Sequence, residues 1–316
     1  MKVTRVCLLG GTGFVGRHLV YRLSAAGYRC RILTRNPQRH RDLRGIGCEL
    51  VATDIFDPAA LATQLAGCDA AINLVGILNE TGKRRTFRHL HIELVDTLVT
   101  ACQTAGVPRL LHMSALNADA AVGTSQYLRS KGEGENRAHT RGQPDVAVTS
   151  FRPSVIFGRD DSFVNRFAGL LRLPGPFPLA CPDARFAPVY VEDVAAAFAR
   201  SLEDRSTFGE HFELCGPQVY TLRELVRYVA RCMGRRKWIL GLPDWASRLQ
   251  ARVLEWVPGK PFSTDNYLSM RLPSVCREDG LARLGIPATH LDAVVPQYLQ
   301  RHTARGHLDR LRRLRS

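Results

Sequence analysis

The sequence predicts an α/β protein: a doubly wound parallel sheet with a small, mostly helical C-terminal region. Apolar, β-rich runs alternate with helical patterns through the first half of the 316 residues. The first run ends in closely spaced glycines that open into an amphipathic helix, and the alternation stops near residue 152. Strand and helix in repeated succession give a parallel sheet, because each helix carries the chain back across the sheet and covers one of its faces. The expected division is 1–151 for the core and 152–316 for a region that partly completes the sheet and partly forms a smaller subdomain.

Six strands follow from the runs "VTRVCLLG", "RCRILTR", "CELVATD", "AAINLVG", "RLLHMSA" and "VAVTSF". Each is short, rich in branched apolar residues and bounded by residues suited to loops. The helix "FVGRHLVYRLSAAG" follows the first strand, and "HIELVDTL" follows the fourth. Beyond residue 152, "LRLPGPFPLACPDARFAP" reads as an irregular excursion because its prolines break both periods. A helix at "VEDVAAAFARSLED", a strand near "GEHFELCG" and a helix from "TLRELVRYVARCMG" come next. Between Leu242 and Val257, Trp245, Leu249, Val253 and Trp256 share one helical stripe. Core packing is the plain reading of that stripe; a lid over an apolar ligand or a membrane contact is the sharper one.

Hydrophobic residues make up 45% of the chain and charged residues 23%, the balance of a protein with a packed core and not of a disordered or fibrous one. No apolar run nears the roughly 18 residues of a spanning helix, and the opening "MKVTRVCLLGG" meets glycines too soon for a secretory signal. The nine cysteines form no CxxC pair. Buried free thiols, a reducing cytoplasmic setting and no metal site are therefore expected. The net charge of +15 fits a solubilising surface, an anionic membrane or acidic ligands. Nucleic acid is not expected as a partner, since no helix-turn-helix, zinc or RNA-binding signature accompanies the charge. The C-terminal "RHTARGHLDRLRRLRS" sets six arginines against one aspartate, with Leu308, Leu311 and Leu314 at every third position. Such a basic amphipathic turn can rest on the inner face of a membrane, making the protein peripheral there, or on a partner.

In "GGTGFVG", Gly10, Gly13 and Gly16 stand three apart between the first strand and its helix. Without side chains the turn closes tightly and the backbone can approach a diphosphate, whose charge faces the unpaired amides of the helix N-terminus. That context points to a Rossmann-like dinucleotide site formed by Gly10, Thr12, Gly13, Phe14, Val15 and Gly16. An NAD-preferring site offers a carboxylate near the end of the second strand. Here "RILTRNPQRH" has none before Asp42, and Arg35 offers a planar cation suited to a 2′-phosphate. NADP(H) is favoured, with NAD(H) as the alternative. Asp54 and Ile55, after the third strand, fall where the adenine would lie; Asn73, Val75 and Gly76, closing the fourth, fall beside the nicotinamide half.

Lys131 is one of only five lysines among 44 basic residues, and it stands four positions after Tyr127 in "YLRSK". Positions four apart share a helix face. A phenol titrates near pH 10, and a cation about 5 Å away at an effective dielectric near 20 favours the phenolate by about 3 kcal/mol, roughly two pK units. That brings the group toward the range useful to a general acid or base. A compact ammonium can also bond ribose hydroxyls, which a guanidinium fork fits less well. The plain alternative is an exposed helical lysine beside an incidental tyrosine. Ser114, thirteen residues before the tyrosine, completes the candidate catalytic set.

Together "GGTGFVG", Ser114, "YLRSK", "FRPSVIFGRDDSF" and "PVYVEDVA" resemble the extended short-chain dehydrogenase/reductase superfamily. "SALNA", "FELCGPQVYTLRELV" and "LPDWASRLQARVLEWVPGKPFSTDN" narrow the resemblance to the atypical branch holding complex I alpha-subcomplex subunit nine and its bacterial relatives, from Val3 to about Leu299. The resemblance implies NADP(H) with Arg35 at its phosphate and Arg152 and Pro153 among its contacts. It implies Tyr127 as acid or base, Lys131 on the ribose and Ser114 orienting a substrate carbonyl. Where catalytically competent members carry an asparagine after the fourth strand, this chain has His91. Two functions follow. One is NADPH-dependent reduction of a carbonyl or quinone-like acceptor, an apolar small molecule to which Phe163, Phe167, Leu170 and Phe177 point unless they are core. The other is a non-catalytic, nucleotide-holding subunit of a respiratory or quinone-related membrane complex, reached through the basic tail.

Overall fold

The computed structural model describes residues 2–258 and 260–299, so the basic turn expected around Leu308, Leu311 and Leu314 lies outside the described residues. Two compact units divide the chain. Met1–Pro153, Val191–Leu214 and Cys276–Pro287 form the first; Ser154–Tyr190, Cys215–Val275 and the chain from Ala288 form the second.

The first unit opens with β1 (Arg5–Leu9), α1 (Phe14–Ala25), β2 (Arg29–Thr34), α2 (Arg41–Arg44), β3 (Glu49–Ala52) and α3 (Pro58–Leu65). It continues through β4 (Ala70–Asn73), α4 (Leu94–Ala105), β5 (Arg109–Met113), α5 (Gln126–Gly142) and β6 (Ala147–Pro153). The second unit then contributes β7 (Ile156–Phe157), α6 (Val164–Leu170), β8 (Phe177–Leu179), β9 (Arg185–Phe186) and β10 (Val189–Tyr190). The chain returns to the first for α7 (Val191–Ser201) and β11 (His211–Leu214), then leaves again for β12 (Tyr220–Thr221), α8 (Leu222–Cys232), β13 (Ile239–Gly241), α9 (Asp244–Leu254) and α10 (Thr264–Ser269). It ends with α11 (Gly280–Arg283) in the first unit and α12 (Leu291–Leu299) in the second.

Seven strands of the first unit make one sheet in the order β11-β6-β5-β4-β1-β2-β3, every neighbouring pair parallel. Both faces are covered, which is why Val6, Cys7, Leu8 and Leu9 form an unbroken buried run instead of alternating with polar residues. The order reverses at β1: the chain works outward to β3 and then crosses to β4 on the other side. The loops leaving β1 and β4 lie side by side there, at the carboxyl ends of the strands, which is where ligands of such sheets bind.

At the start of β5, Arg109 is fully buried. Its guanidinium donates to the carbonyls of Ala147 at 3.0 Å and Ser201 at 2.7 Å and to the hydroxyls of Thr149 at 2.7 Å and Thr207 at 2.9 Å, and it lies 4.4 Å from the centre of the Phe208 ring. A buried cation needs such acceptors to offset its lost hydration. The side chain thereby ties β5 and β6 to the segment between α7 and β11.

In the second unit a separate core surrounds Phe157, Leu171, Val226 and Val295. Phe163, Phe167 and Phe177 pack against it, edge-on to one another at 5.2 and 6.4 Å, and Leu170 is half-buried. Core packing accounts for the three phenylalanines.

Two expectations are corrected here. The stripe of Trp245, Leu249, Val253 and Trp256 is exposed, because α9 turns Ser247 and Ala251 inward instead. The nine cysteines are not all free. Seven are, whereas Cys215 and Cys276 are disulfide-bonded. Disulfides follow proximity in space, which spacing along a chain does not reveal. No helix among the described residues is long and apolar enough to cross a membrane.

Arg109→Met removes the charge and strands its buried acceptors. The unfolding free energy is expected to fall by about 3 kcal/mol, read as a lower urea midpoint, while Arg205→Met, at an exposed position, leaves the midpoint unchanged.

Candidate active site

β1 delivers the chain to Gly10, whose φ is +81° and where an added Cβ would lie 3.1 Å from the carbonyl carbon of Leu74. Gly13 caps α1 without a side chain, and its amide donates to the Gly10 carbonyl at 3.0 Å. At Gly16 a Cβ would meet that same carbonyl oxygen at 2.2 Å. The turn folds back onto its helix to a distance only glycine permits. Thr12, Phe14 and Val15 complete it, half-buried, with Phe14 edge-on to His18 at 5.5 Å. No side chain caps α1 and no acid occupies its first turn, so unpaired amides and the positive end of the helix dipole remain for an anion. This cradle fits the diphosphate of a dinucleotide.

Around the cradle the other expected residues divide into exposed groups and committed ones. Arg35 follows β2 and is exposed; the carboxylate of Asp42, seven residues on, is paired with Arg17. Asp54 is exposed and accepts from the Phe56 amide at 3.1 Å, while Ile55 packs half-buried against the core. Asn73 is buried: its Oδ1 accepts from the Val75 amide at 3.1 Å and its Nδ2 donates to His112 Nδ1 at 3.3 Å. It shapes the loop after β4 from within. At Gly76 that loop comes close to α5, since an added Cβ would stand 3.6 Å from His91 Nε2 and 3.8 Å from Lys131 Nζ.

α5 starts where the Ser125 hydroxyl accepts the Leu128 amide at 3.1 Å. Its 3.6-residue period then sets Tyr127, Lys131, Glu135 and His139 one turn apart along one side. Two glycines let this helix approach neighbouring backbone: a Cβ on Gly132 would lie 2.5 Å from the Ala120 nitrogen, and one on Gly134 would lie 1.9 Å from the His91 carbonyl oxygen. Lys131 is buried, and its ammonium donates to the Met113 carbonyl at the end of β5. Burial lowers its pKa to about 8, against the opposing pull of the Glu135 carboxylate. Tyr127 is half-buried, edge-on to His91 at 5.7 Å and to Phe87 at 6.0 Å.

Glu135 is fully buried. It accepts from the Ser114 hydroxyl at 2.6 Å, from Arg152 Nε at 2.9 and 3.0 Å, and from His211 Nδ1. Burial works to raise its pKa, but the His211 bond, the Arg152 charge and the Ser114 bond outweigh it and bring the carboxyl to about 2. Glu135, His139 and His211 gather ligand atoms within 4.8 Å of one another. The adjoining guanidinium already neutralises the carboxylate there and opposes a second cation, so the cluster reads as a hydrogen-bonded network.

His91 lies in a turn widened to π-helical geometry over Arg88–Glu93, a distortion common at functional sites. Its Nε2 accepts from the Ile77 amide at 3.1 Å; its Nδ1 therefore carries the proton and donates to the Ser130 hydroxyl at 2.9 Å, which in turn donates to the Tyr127 carbonyl at 2.9 Å. Burial, with the charge of Lys131, lowers its pKa to about 2. His91 is a neutral strut between the loop after β4 and α5.

The structure thus brings Tyr127, Lys131, Gly76 and His91 together. It places the Ser114 proton and the Arg152 Nε on Glu135, and the Pro153 carbonyl accepts the Leu116 amide at 3.1 Å. Sequence reasoning missed Glu135. The signal was available, because the four-residue step from Tyr127 to Lys131 reaches Glu135 next.

A family model described as NAD(P)H-binding matches residues 10–154. The mitochondrial NADH dehydrogenase (ubiquinone) 1 alpha subcomplex subunit 9 of Rattus norvegicus is 30% identical over 308 residues, covering 93% of this chain and 79% of that protein. A ceramide reductase of Caulobacter vibrioides is 30% identical over 252 residues, covering 76% of this chain and 74% of that protein. In backbone, the NADPH-dependent quinone oxidoreductase of Escherichia coli, solved with NADPH, matches with a TM-score of 0.73 at 20% identity over 92% of this chain and 99% of that one. That last likeness is one of fold.

Gly16→Ala forces the turn open against the Gly10 carbonyl, and nicotinamide dinucleotide affinity is expected to fall by about tenfold or more in calorimetry, roughly the loss of one charge-assisted contact. Lys131 gives a pH signature. Its ammonium persists below about pH 8, so dinucleotide affinity is expected to fall as pH rises through that value, and Lys131→Met is expected to flatten the profile. Stability runs the other way. Between about 8 and the ordinary lysine value the unfolded chain holds a proton that the native chain has released, so this residue's contribution rises with pH across that window, visible as a denaturation midpoint that Lys131→Met makes less pH-dependent.

Proposed function

Because the chain belongs to the family of complex I alpha-subcomplex subunit 9 and carries an NAD(P)H-binding domain, we propose that it is an NADPH-dependent oxidoreductase acting on a carbonyl or quinone-like acceptor. The observation that carries the reading is a buried lysine, one helical turn from Tyr127, held at the end of β5 with a pKa of about 8 and close to Gly76 in the loop after β4. NADPH would supply the hydride. Tyr127 gives the proton to the acceptor oxygen, and the Lys131 charge favours the phenolate left behind. Lys131 also bonds the ribose hydroxyls, while the Glu135 anion opposes loss of its proton. His91, with both ring nitrogens engaged, positions α5 and does not relay protons.

Arg35, exposed after β2, supports NADPH over NADH, and Asp42, the first carboxylate after that strand, is paired with Arg17. The names of two similar proteins, a ceramide reductase and a quinone oxidoreductase, support an apolar acceptor. A second reading is favoured by the locked His91 ring and by the similarity to a respiratory-complex subunit. In it, the protein holds its nucleotide without turnover at the cytoplasmic face of a membrane, docked on a complex through residues 301–316.

With purified protein and a panel of carbonyl and quinone acceptors, NADPH oxidation is expected, and Tyr127→Phe is expected to lower kcat about 100-fold or more while leaving the NADPH Kd within about threefold. Nucleotide that stays bound and unoxidised across the panel, with a silent Tyr127→Phe, establishes the second reading instead. Arg35→Ala is expected to weaken NADPH about tenfold, roughly 1.4 kcal/mol, without changing the NADH Kd.

A further inference from the structure

α9 is built inside out. Its inward positions hold Ser247 and Ala251, both buried, while Trp245 at 71% exposure, Leu249, Val253 and, just past its end, Trp256 at 90% face outward. A helix on the surface of a water-soluble unit ordinarily presents the opposite pattern. Two residues beyond Trp238, which is 81% exposed, Leu240 in β13 is exposed too. All three tryptophans of the chain therefore stand in solvent within one short stretch of the second unit. Among the described residues, seven of the twelve exposed large apolar side chains fall in residues 238–257. Scattered apolar residues on a surface need no explanation, but a concentration of this kind marks a docking face.

The charges beside it identify the occupant. Arg248 and Arg252 lie on the exposed side of α9, and exposed Arg235 and Arg236 precede Trp238 together with Lys237. The acids of the segment are held by neighbours: Asp244 accepts from the Tyr267 hydroxyl at 2.7 Å and Glu255 from the Thr264 hydroxyl at 2.8 Å. Tryptophan rings flanked by arginines, on a helix too short to span, match the headgroup layer of a bilayer, where the rings sit at the interface and the guanidiniums meet lipid phosphates. A second copy of the chain fits less well, since a two-fold contact through this face sets its arginines against their own mates.

We propose that α9 and the segment Arg235–Leu240 form a docking surface for an anionic lipid bilayer, on which the protein sits without crossing. The proposal rests neither on the oxidoreductase reading nor on the basic tail.

The test is co-sedimentation of the full-length protein with phosphatidylcholine vesicles with or without about one third phosphatidylglycerol, at low and high salt. Binding is expected to the anionic vesicles and to weaken at high salt. Trp238→Gln/Trp245→Gln/Trp256→Gln is expected to cut the partition about tenfold or more and Arg248→Gln/Arg252→Gln to remove most of its salt dependence, whereas deletion of 301–316 leaves a clear bound fraction. NADPH binding unchanged in every variant reports that each is folded. Three results overturn the proposal: binding that vanishes with the tail but survives the tryptophan changes; no vesicle binding by a protein that light scattering shows to be a dimer until the tryptophans are changed; or no vesicle binding by a monomer.

Discussion

The Glu135 carboxylate is the interaction on which the rest of the first unit's chemistry depends. It is fully buried and receives donors from the ends of three adjacent strands, through Ser114, Arg152 and His211, while itself belonging to α5. A buried anion is costly unless every lone pair finds a partner; here the partners more than compensate, and the acid stays charged far below neutrality. That fixed charge lies one turn from Lys131 and opposes the loss of its proton. The helix that carries the tyrosine and lysine is thus docked and electrically tuned by one side chain.

Docking of this kind needs close approach, and the sequence supplies it with glycines inside a helix, where they otherwise cost stability. Gly132 and Gly134 bring α5 against the backbone of Asp119, Ala120 and His91. His91 then fills the remaining gap as a neutral ring bonded on both sides. The same logic governs the first turn of the sheet, where Gly10 and Gly16 allow backbone to touch backbone and leave amides for an anion. Both halves of the site are made by removing side chains as much as by adding them.

The features legible in the sequence are those written locally. The six strand runs, the glycine turn between β1 and α1 and the four-residue step from Tyr127 to Lys131 each lie within a few residues, and each is found where its pattern places it. What escaped depends on distant pairing. Ser114, Arg152 and His211 converge on Glu135 from as far as 76 residues away in sequence, and no period encodes such a meeting. Periodicity likewise grouped Trp245, Leu249, Val253 and Trp256 on one side of α9 but could not say which way that side turns; small Ser247 and Ala251 opposite them decide it. Cys215 and Cys276 lacked a spacing signature for the same reason.

The exposure of all three indoles, every one of them in the second unit, has an optical consequence. Ultraviolet emission from the native chain comes from rings already bathed in solvent, outside the seven-stranded sheet altogether. Melting of that sheet would leave the emission nearly unmoved, so intrinsic fluorescence is a poor thermometer for the nucleotide-binding half of this molecule, and circular dichroism or calorimetry is the instrument that would register its collapse.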